Sequence, residues 1–214
     1  MKKVFPFLLA ALMLLVLASC GGRTAPEPTD PGIPTETNAE AEAETDSQTA
    51  ASTDAAGEKV LVVVFSATGT TKGVAEKIAA IENADLYEIK AAQEYTEADL
   101  NWSDSSSRST VEQNDKTARP AIGSDPIFTE GYTKIYVGFP IWWGEEPRIM
   151  DTFVESYDFT GITMIPFCTS SSSGIGRSGQ NLAENAGTGN WLDGAHFPGS
   201  ATEADLQSWI DSLK

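Results

Sequence analysis

A short apolar run, followed directly by a hydroxyl-rich turn and an amphipathic segment, constrains the fold of this chain more than any other feature. Residues 60–65 are all β-branched or apolar, as in a parallel strand that is buried on both faces. Beyond residue 70 the spacing changes, and Val74, Ala75, Ile78 and Ala79 recur with the period of a helix. The passage therefore predicts a buried strand, a tight turn and a helix, the repeating unit of an α/β protein.

The turn between this strand and this helix predicts a phosphate site. Unpaired backbone N–H groups and the positive end of the helix dipole favour an anion there, and the hydroxyl groups add donors. The turn matches neither the nucleotide P-loop nor the dinucleotide fingerprint, which favours a monophosphate. An alternative is a threonine-rich helix cap without a ligand, because Ser and Thr are common N-cap residues. The predicted contacts are Ser66, Thr68, Gly69, Thr70 and Thr71.

The same turn resembles the phosphate loop of the flavodoxin family, which follows the first strand. That loop reads Ser or Thr, any residue, Thr, Gly, any residue, Thr, and residues 66–71 match it at each fixed position. The resemblance covers residues 59–214. It implies an α/β fold of the flavodoxin type: a doubly wound five-stranded parallel sheet in the order 2-1-3-4-5, with helices on both faces and FMN as the cofactor.

Residues 135–139 predict an apolar strand, and a second loop is predicted after its carboxyl end. Ligands of open α/β sheets bind outside the carboxyl ends of the strands, and a tryptophan pair there can stack on a planar ring. Residues 138–144, Gly-Phe-Pro-Ile-Trp-Trp-Gly, resemble the second loop of a flavodoxin-type subfamily, which carries Pro, any residue, Trp or Tyr, and Trp. The alternative is that a tryptophan anchors the next helix in the core, and the sequence leaves open which of the two faces the flavin. The predicted contacts are Pro140, Ile141, Trp142, Trp143 and Gly144.

A third polar loop follows residues 162–168, which predict another buried strand. Its hydroxyl and backbone N–H groups are suited to the polar edge of a pyrimidine-like ring, whereas the alternative is a flexible Ser/Gly loop without a ligand. The predicted contacts are Thr169, Ser170, Ser171 and Gly174. The other predicted elements are a strand at 84–89, a helix near 110–114, helices after Pro147 and from Gln180, an edge strand at 191–198 and a last helix at 203–213.

The amino-terminal quarter of the chain predicts export and anchoring. Two lysines and the apolar run at 4–17 read as a signal peptide, and Leu17-Ala18-Ser19-Cys20 resembles a bacterial lipobox. That resemblance implies cleavage and a lipid on Cys20, which would place the protein on the extracytoplasmic side of a cell membrane. Residues 21–57 predict a disordered acidic tether, and 58–214 one domain. The alternative is a secreted protein with a chance cysteine.

Charge and residue usage exclude several functions. A formal net charge of −17 argues against nucleic-acid binding, which requires clustered Lys and Arg. Cys20 and Cys168 are the only cysteines, so acylation of Cys20 would leave no intramolecular disulfide. Cys168 is expected to be an inert buried thiol, and His196, the only histidine, an edge-strand residue. No spacing of ligating residues suggests a metal site.

The resemblance implies electron transfer by bound FMN to or from a redox partner protein or a small acceptor, with no catalytic side chain. Glu145 and Glu146 directly follow the tryptophan loop, and we expect their negative charge to lower the potential of the flavin. Two alternatives remain open on the same fold. One is an FMN-dependent NAD(P)H reductase of quinone-type acceptors. The other is a surface lipoprotein that binds a ligand without redox chemistry.

Overall fold

The computed structural model describes residues 58–214; the predicted signal peptide, Cys20 and the predicted tether lie outside these residues. Strands and helices alternate along the chain. The strands are β1 (Val60–Phe65), β2 (Asp85–Ile89), β3 (Lys134–Pro140), β4 (Thr163–Thr169), β5 (Asn190–Trp191) and β6 (Ala195–Phe197). The helices are α1 (Thr70–Glu82), α2 (Arg108–Asn114), α3 (Arg148–Glu155), α4 (Ser178–Ala186) and α5 (Glu203–Ser212).

All strands of the sheet pair in parallel, in the order β2-β1-β3-β4-β5. This order confirms the predicted doubly wound fold. The register places Pro140, at the end of β3, beside Thr169, at the end of β4. The carboxyl ends of β1, β3 and β4 consequently meet at one edge of the sheet.

The predicted burial of β1 on both faces is confirmed, and it divides the core into two layers. Val60, Val62 and Val64 pack with α1 and α5, whereas the alternate residues of β1 pack with α3 and α4. Each side chain of this strand is buried. Burying a valine side chain stabilises the fold by roughly 1.5–3 kcal/mol, so β1 contributes to both layers at once.

The outer edge beside β4 differs from the prediction. Instead of one strand at 191–198, two short strands pair with β4 in succession, separated by Leu192, Asp193 and Gly194. The chain passes close to β4 at Gly194, where a Cβ atom would lie 2.6 Å from the carbonyl oxygen of Pro166. The interruption thus occurs where a glycine allows two backbones to approach, a feature that an apolar run cannot reveal.

Residues 90–133 form a long excursion between β2 and β3, and it returns to the sheet at its base. The N–H of Gly123 donates to the carbonyl of Lys90 at 2.7 Å, and Ala91 bridges Ile122 in the antiparallel sense. Helix α2 lies within the excursion, two residues longer at its start than predicted. Among residues 58–214, the helices are too short or too polar to cross a bilayer.

Gly138, in the middle of β3, provides a test of the packing between strands. A Cβ atom there would overlap the ring of Phe167 on β4. We expect Gly138→Ala to lower the free energy of unfolding by about 1–3 kcal/mol, because an overfilled core must shift. Urea denaturation followed by circular dichroism measures the change.

Gly73→Ala is the matched control, since a Cβ atom at that position of α1 meets no atom within 4 Å. This variant should stabilise the fold by roughly 0.5–1 kcal/mol through helix propensity. Equal stability of the two variants would contradict the close approach of β3 and β4.

Candidate functional site

The first loop, residues 66–71, presents the open end of a helix. Gly69 precedes α1 with φ of 83°, and no side chain caps the helix at this position. The N–H groups of the first turn therefore have no acceptor within the helix. The hydroxyls of Thr68 and Thr70 lie 3.3 Å apart at the exposed mouth, and the buried Ser66 Oγ has no hydrogen-bond partner among residues 58–214. Lys72, the next cation along the chain, is engaged by Glu88 at 2.8 Å.

The second loop is a two-residue hairpin turn that holds the two tryptophans apart. Trp142 and Glu145 exchange backbone hydrogen bonds of 2.9 and 3.1 Å across Trp143 and Gly144. The central residues have φ of 55° and 85°, as in a type I′ turn. A bulky residue in this left-handed region costs about 1–2 kcal/mol.

The turn gives the two tryptophan side chains different environments. Trp142 packs inward, with its ring edge-to-face against Tyr95 at 5.0 Å and Phe65 at 5.6 Å between centroids. Trp143 points outward and is 51% exposed. A non-glycine residue held at positive φ with an exposed aromatic side chain is an unusual arrangement, and such strain concentrates at ligand sites. Trp143 is therefore the more exposed of the two tryptophans.

The third loop, residues 170–176, is folded around the hydroxyl of Ser170. This oxygen accepts the N–H of Ser173 at 2.8 Å and donates to the carbonyl of the same residue. His196 of β6 lies with its Nε2 3.1 Å from the carbonyl oxygen of Ser170. The loop has defined internal hydrogen bonds, and Ser171 and Gly174 remain exposed.

The three loops form one continuous surface. The hydroxyls of Thr71 and Thr169 meet at 2.7 Å in a buried pair that joins the first loop to β4. The N–H of Ile141 donates to the carbonyl of Thr169 at 3.0 Å. The second and third loops meet where Gly176 approaches the carbonyl oxygen of Gly144. The predicted site residues therefore lie together at the carboxyl edge of the sheet.

Two of the predicted contacts have structural roles that limit what they offer a ligand. The side chains of Thr71 and Thr169 are buried and bonded to each other, so their hydroxyls face away from the exposed mouth. The backbone N–H of Thr71 still belongs to the open first turn of α1. Pro140 and Ile141 are half-buried and support the hairpin turn.

Several residues beside the site were not predicted. Gly199, after β6, lies against Thr70, since a Cβ atom there would be 2.5 Å from the Thr70 methyl group. Gly199 follows the carboxyl end of β6, so the rule that ligands bind outside the carboxyl ends of strands could have located it. Tyr95 and Gln113 come from the long excursion: the Tyr95 ring carries the Arg108 guanidinium at 4.0 Å and its hydroxyl donates to Glu112 at 2.6 Å. Burial raises the pKa of Tyr95 well above its ordinary value.

Cavities lie at both edges of the sheet. One of about 370 Å³ lies on the β2 side of the first loop, lined by Phe65, Ser66, Lys72 and Tyr95 among others. A larger one of about 430 Å³ lies before β3 and β4, at the opposite edge of the sheet. Ligands of such sheets bind at the carboxyl edge, so the three loops are a better candidate site than the cavity at the opposite edge. Within residues 58–214 no group of three acidic, His or Cys side chains is arranged to hold a metal ion.

Residues 59–213 match the family model described as flavodoxin. The chain belongs to the flavodoxin family. A candidate flavoprotein of Bacteroides uniformis has 45% sequence identity over 72% of this chain and 99% of its own, with a TM-score of 0.69. A candidate flavoprotein of Bacteroides eggerthii has 43% identity over 72% and 97%, with a TM-score of 0.68.

A flavoprotein from Lactobacillus acidophilus, whose crystal structure is a complex with FMN, shares the flavodoxin fold. It has 24% identity over 72% of this chain and 97% of its own, with a TM-score of 0.55. Curated proteins give no match to the chain.

Glu145 and Glu146, the carboxylates after the second loop of this flavodoxin domain, both have partners within the protein. Neither is a free negative charge at the loop surface. Glu145 is paired with Arg148 at 2.7 Å and Lys116 at 3.6 Å, and the Arg148 hydrogen bond lowers its pKa. Glu146 is fully buried and accepts hydrogen bonds from Asn181 of α4 at 3.1 and 3.3 Å. Both carboxylates therefore interact with other side chains of the protein.

A buried charged cluster lies behind the second loop. Arg148, 4% exposed, lies 3.4 Å from Asp151 and 3.7 Å from Glu146, so one guanidinium faces two buried carboxylates. Asn185 donates to Asp151 at 2.9 Å. Burial raises the pKa of both Glu146 and Asp151. The cluster joins α3 to α4 directly beneath the turn that carries Trp143.

The raised pKa of Glu146 predicts a pH dependence of stability. Above the ordinary carboxyl pKa the folded state still holds this proton while the unfolded chain has lost it, so the free energy of unfolding falls as the pH rises through this window. The raised pKa of Asp151 also makes the free energy of unfolding fall as the pH rises. Glu146→Gln removes one contribution, and we expect its fall in stability between pH 4.5 and 8 to be smaller than that of the wild type.

Urea denaturation across this pH range provides the measurement. Glu184→Gln is the control, because Glu184 lies on α4 with a 71% exposed side chain, paired only loosely with Arg177. It should leave the pH dependence unchanged. An equal pH dependence in Glu146→Gln and the wild type would show that burial does not raise the Glu146 pKa.

Proposed function

We propose that residues 58–214 bind FMN and transfer electrons, and that a lipid on Cys20 holds the protein on the extracytoplasmic face of a bacterial membrane. The observation that carries the flavin assignment is the combination of an open, uncapped helix end with an exposed Trp143 on a neighbouring strained turn. One element is suited to a phosphate and the other to a planar ring.

The first loop is suited to a single phosphate. The N–H groups at the start of α1 and the hydroxyls of Thr68 and Thr70 supply donors, while the loop itself contains no basic side chain. The amino-terminal ends of helices bind phosphate through their free backbone N–H groups and the positive end of the helix dipole. Gly69 gives the backbone the left-handed turn that this approach requires. The unpartnered Ser66 Oγ is a further group available to a ligand.

The second and third loops are suited to the two aspects of an isoalloxazine ring. Trp143 presents a flat face, and the exposed Ser171, Ser172 and Gly174 provide hydroxyl and N–H groups for a polar ring edge. Membership of the flavodoxin family supports FMN, and the Lactobacillus acidophilus protein of this fold was solved with FMN. Bound FMN would supply the redox chemistry, and the protein would bind and orient it.

FMN titration of residues 57–214, followed by flavin fluorescence, tests this assignment. We expect FMN to bind more tightly than riboflavin, which lacks the phosphate, and Thr68→Ala combined with Gly69→Ala to abolish that preference. Trp143→Ala should weaken FMN binding roughly tenfold or more, because aromatic stacking contributes about 1–3 kcal/mol.

Trp102→Ala is the matched control, since Trp102 is 77% exposed on the excursion and should not affect affinity. Failure of the wild-type domain to bind FMN would reject the flavin assignment and favour a binding lipoprotein without redox chemistry. Turnover with NADH or NADPH and a quinone would instead identify a reductase on the same fold.

The anchoring proposal rests on the lipobox resemblance of residues 17–20. The described domain is compatible with a tether because Glu58, its first residue, lies at the amino edge of the sheet. There Glu58 pairs with Lys134 at 3.1 Å. The ligand loops lie at the opposite, carboxyl edge. An attachment there leaves those loops accessible to a redox partner or a small acceptor.

Metabolic labelling with palmitate in a bacterial host tests the anchor. We expect label and membrane association in the wild type and their loss in Cys20→Ala. Cys168→Ala is the control, because burial raises the pKa of the Cys168 thiol to about 12 and removes it from acylation chemistry. Label retained in Cys20→Ala would overturn the proposal.

A further inference from the structure

The turn that exposes Trp143 is not the turn that its own sequence favours. Type I′ turns prefer Asn-Gly, because both central residues need positive φ, whereas here the first central residue is a tryptophan. Gly144 meets the requirement and Trp143 does not. The conformation must therefore be held by contacts from outside the four residues of the turn.

Gln113 of α2 supplies such contacts. Its side-chain amide donates to the carbonyl of Trp142 at 2.8 Å and to the carbonyl of Glu146 at 3.1 Å. Because both neighbours are acceptors, only the NH₂ group can face them. Gln113 is 8% exposed, so these hydrogen bonds are shielded from water. The amide clamps the backbone on both sides of the strained pair.

The backbone of Gln113 strengthens this connection. Its carbonyl accepts Arg148 Nη2 at 3.3 Å, and the same nitrogen donates to Glu145 at 2.7 Å. One residue of the excursion thus contacts the turn through its side chain and, by way of Arg148, through its main chain. Gln113 is 29 positions from Trp142 in the chain.

We propose that Gln113 is a positioning residue for the flavin site: its amide fixes the Trp142–Glu145 turn so that Trp143 faces outward before any ligand binds. The clamp itself follows from the geometry, and its effect on flavin rests on the proposed function. A preformed turn spares the ligand the entropic cost of ordering it. The excursion that carries α2 is thereby part of the ligand site, although Gln113 does not line it.

The test replaces Gln113 with Met, which retains the size of the side chain but donates no hydrogen bond. In the full chain, solubilised in mild detergent and without flavin, hydrogen exchange of the Glu145 amide should become at least about tenfold faster, as expected when two buried hydrogen bonds are lost. The Leu206 amide of α5, bonded to Thr202, reports global opening and should be unchanged. FMN affinity should fall about tenfold.

Gln207→Met is the matched control, because Gln207 bonds Asp211 on the exposed face of α5, away from the turn. It should alter neither the exchange at Glu145 nor the affinity. Unchanged exchange in Gln113→Met overturns the proposal. Equal acceleration of the Glu145 and Leu206 amides also overturns it, because Gln113 would then serve global stability alone.

A second variant tests the reason for the clamp. Trp143→Asn gives the turn the residue pair that adopts type I′ geometry without strain. In that background Gln113→Met should accelerate exchange at Glu145 by less than twofold, and an undiminished effect would show that strain at position 143 is not what Gln113 restrains. These exchange measurements need no flavin. Failure of the wild type to bind FMN would therefore reject the proposed function and leave the clamp standing.

Discussion

The parallel register of β1, β3 and β4 is the constraint on which the rest of the structure depends. It brings the ends of three strands that are far apart in the chain to one edge of the sheet, and the buried hydroxyl pair Thr71–Thr169, at 2.7 Å, joins the start of α1 to the end of β4. A shift of one residue would send every side chain of β4 to the opposite layer of the core. The core thus brings the three loops to one edge of the sheet, and contacts from the excursion then hold the second loop.

The charged cluster behind the second loop is a costly way to join two helices. Taking Arg148, Glu146 and Asp151 out of water carries a desolvation penalty that ion pairing only partly offsets, and apolar residues of similar size would often be as stable. The geometry indicates what the polar choice achieves. Arg148 reaches Glu145, Glu146, Asp151 and the Gln113 carbonyl together, and apolar packing could not fix the direction of four contacts.

The order of strands and helices along the chain could be predicted because each element has a pattern of apolar and polar residues that is visible in its own sequence. The apolar run of β1, the helical spacing of α1 and the polar turns after each strand are visible within a few residues, and the carboxyl-edge rule then locates the loops. The split of the edge strand at Gly194 could not be predicted, since it depends on the approach of β4. The inward turn of Glu146 is equally non-local, because its partner Asn181 is 35 residues away.

The two tryptophans show why a sequence can indicate a candidate site before it indicates the roles of its residues. Adjacent aromatic residues at the end of a strand predict a stacking surface, but their division of labour follows from the backbone: positive φ at Trp143 turns one ring outward while Tyr95 and Phe65 enclose the other. That φ value is unfavourable for a tryptophan in isolation. It persists because α2 and the Arg148 cluster hold the backbone on both sides, so the exposed ring of the site depends on buried contacts that a ligand would never touch.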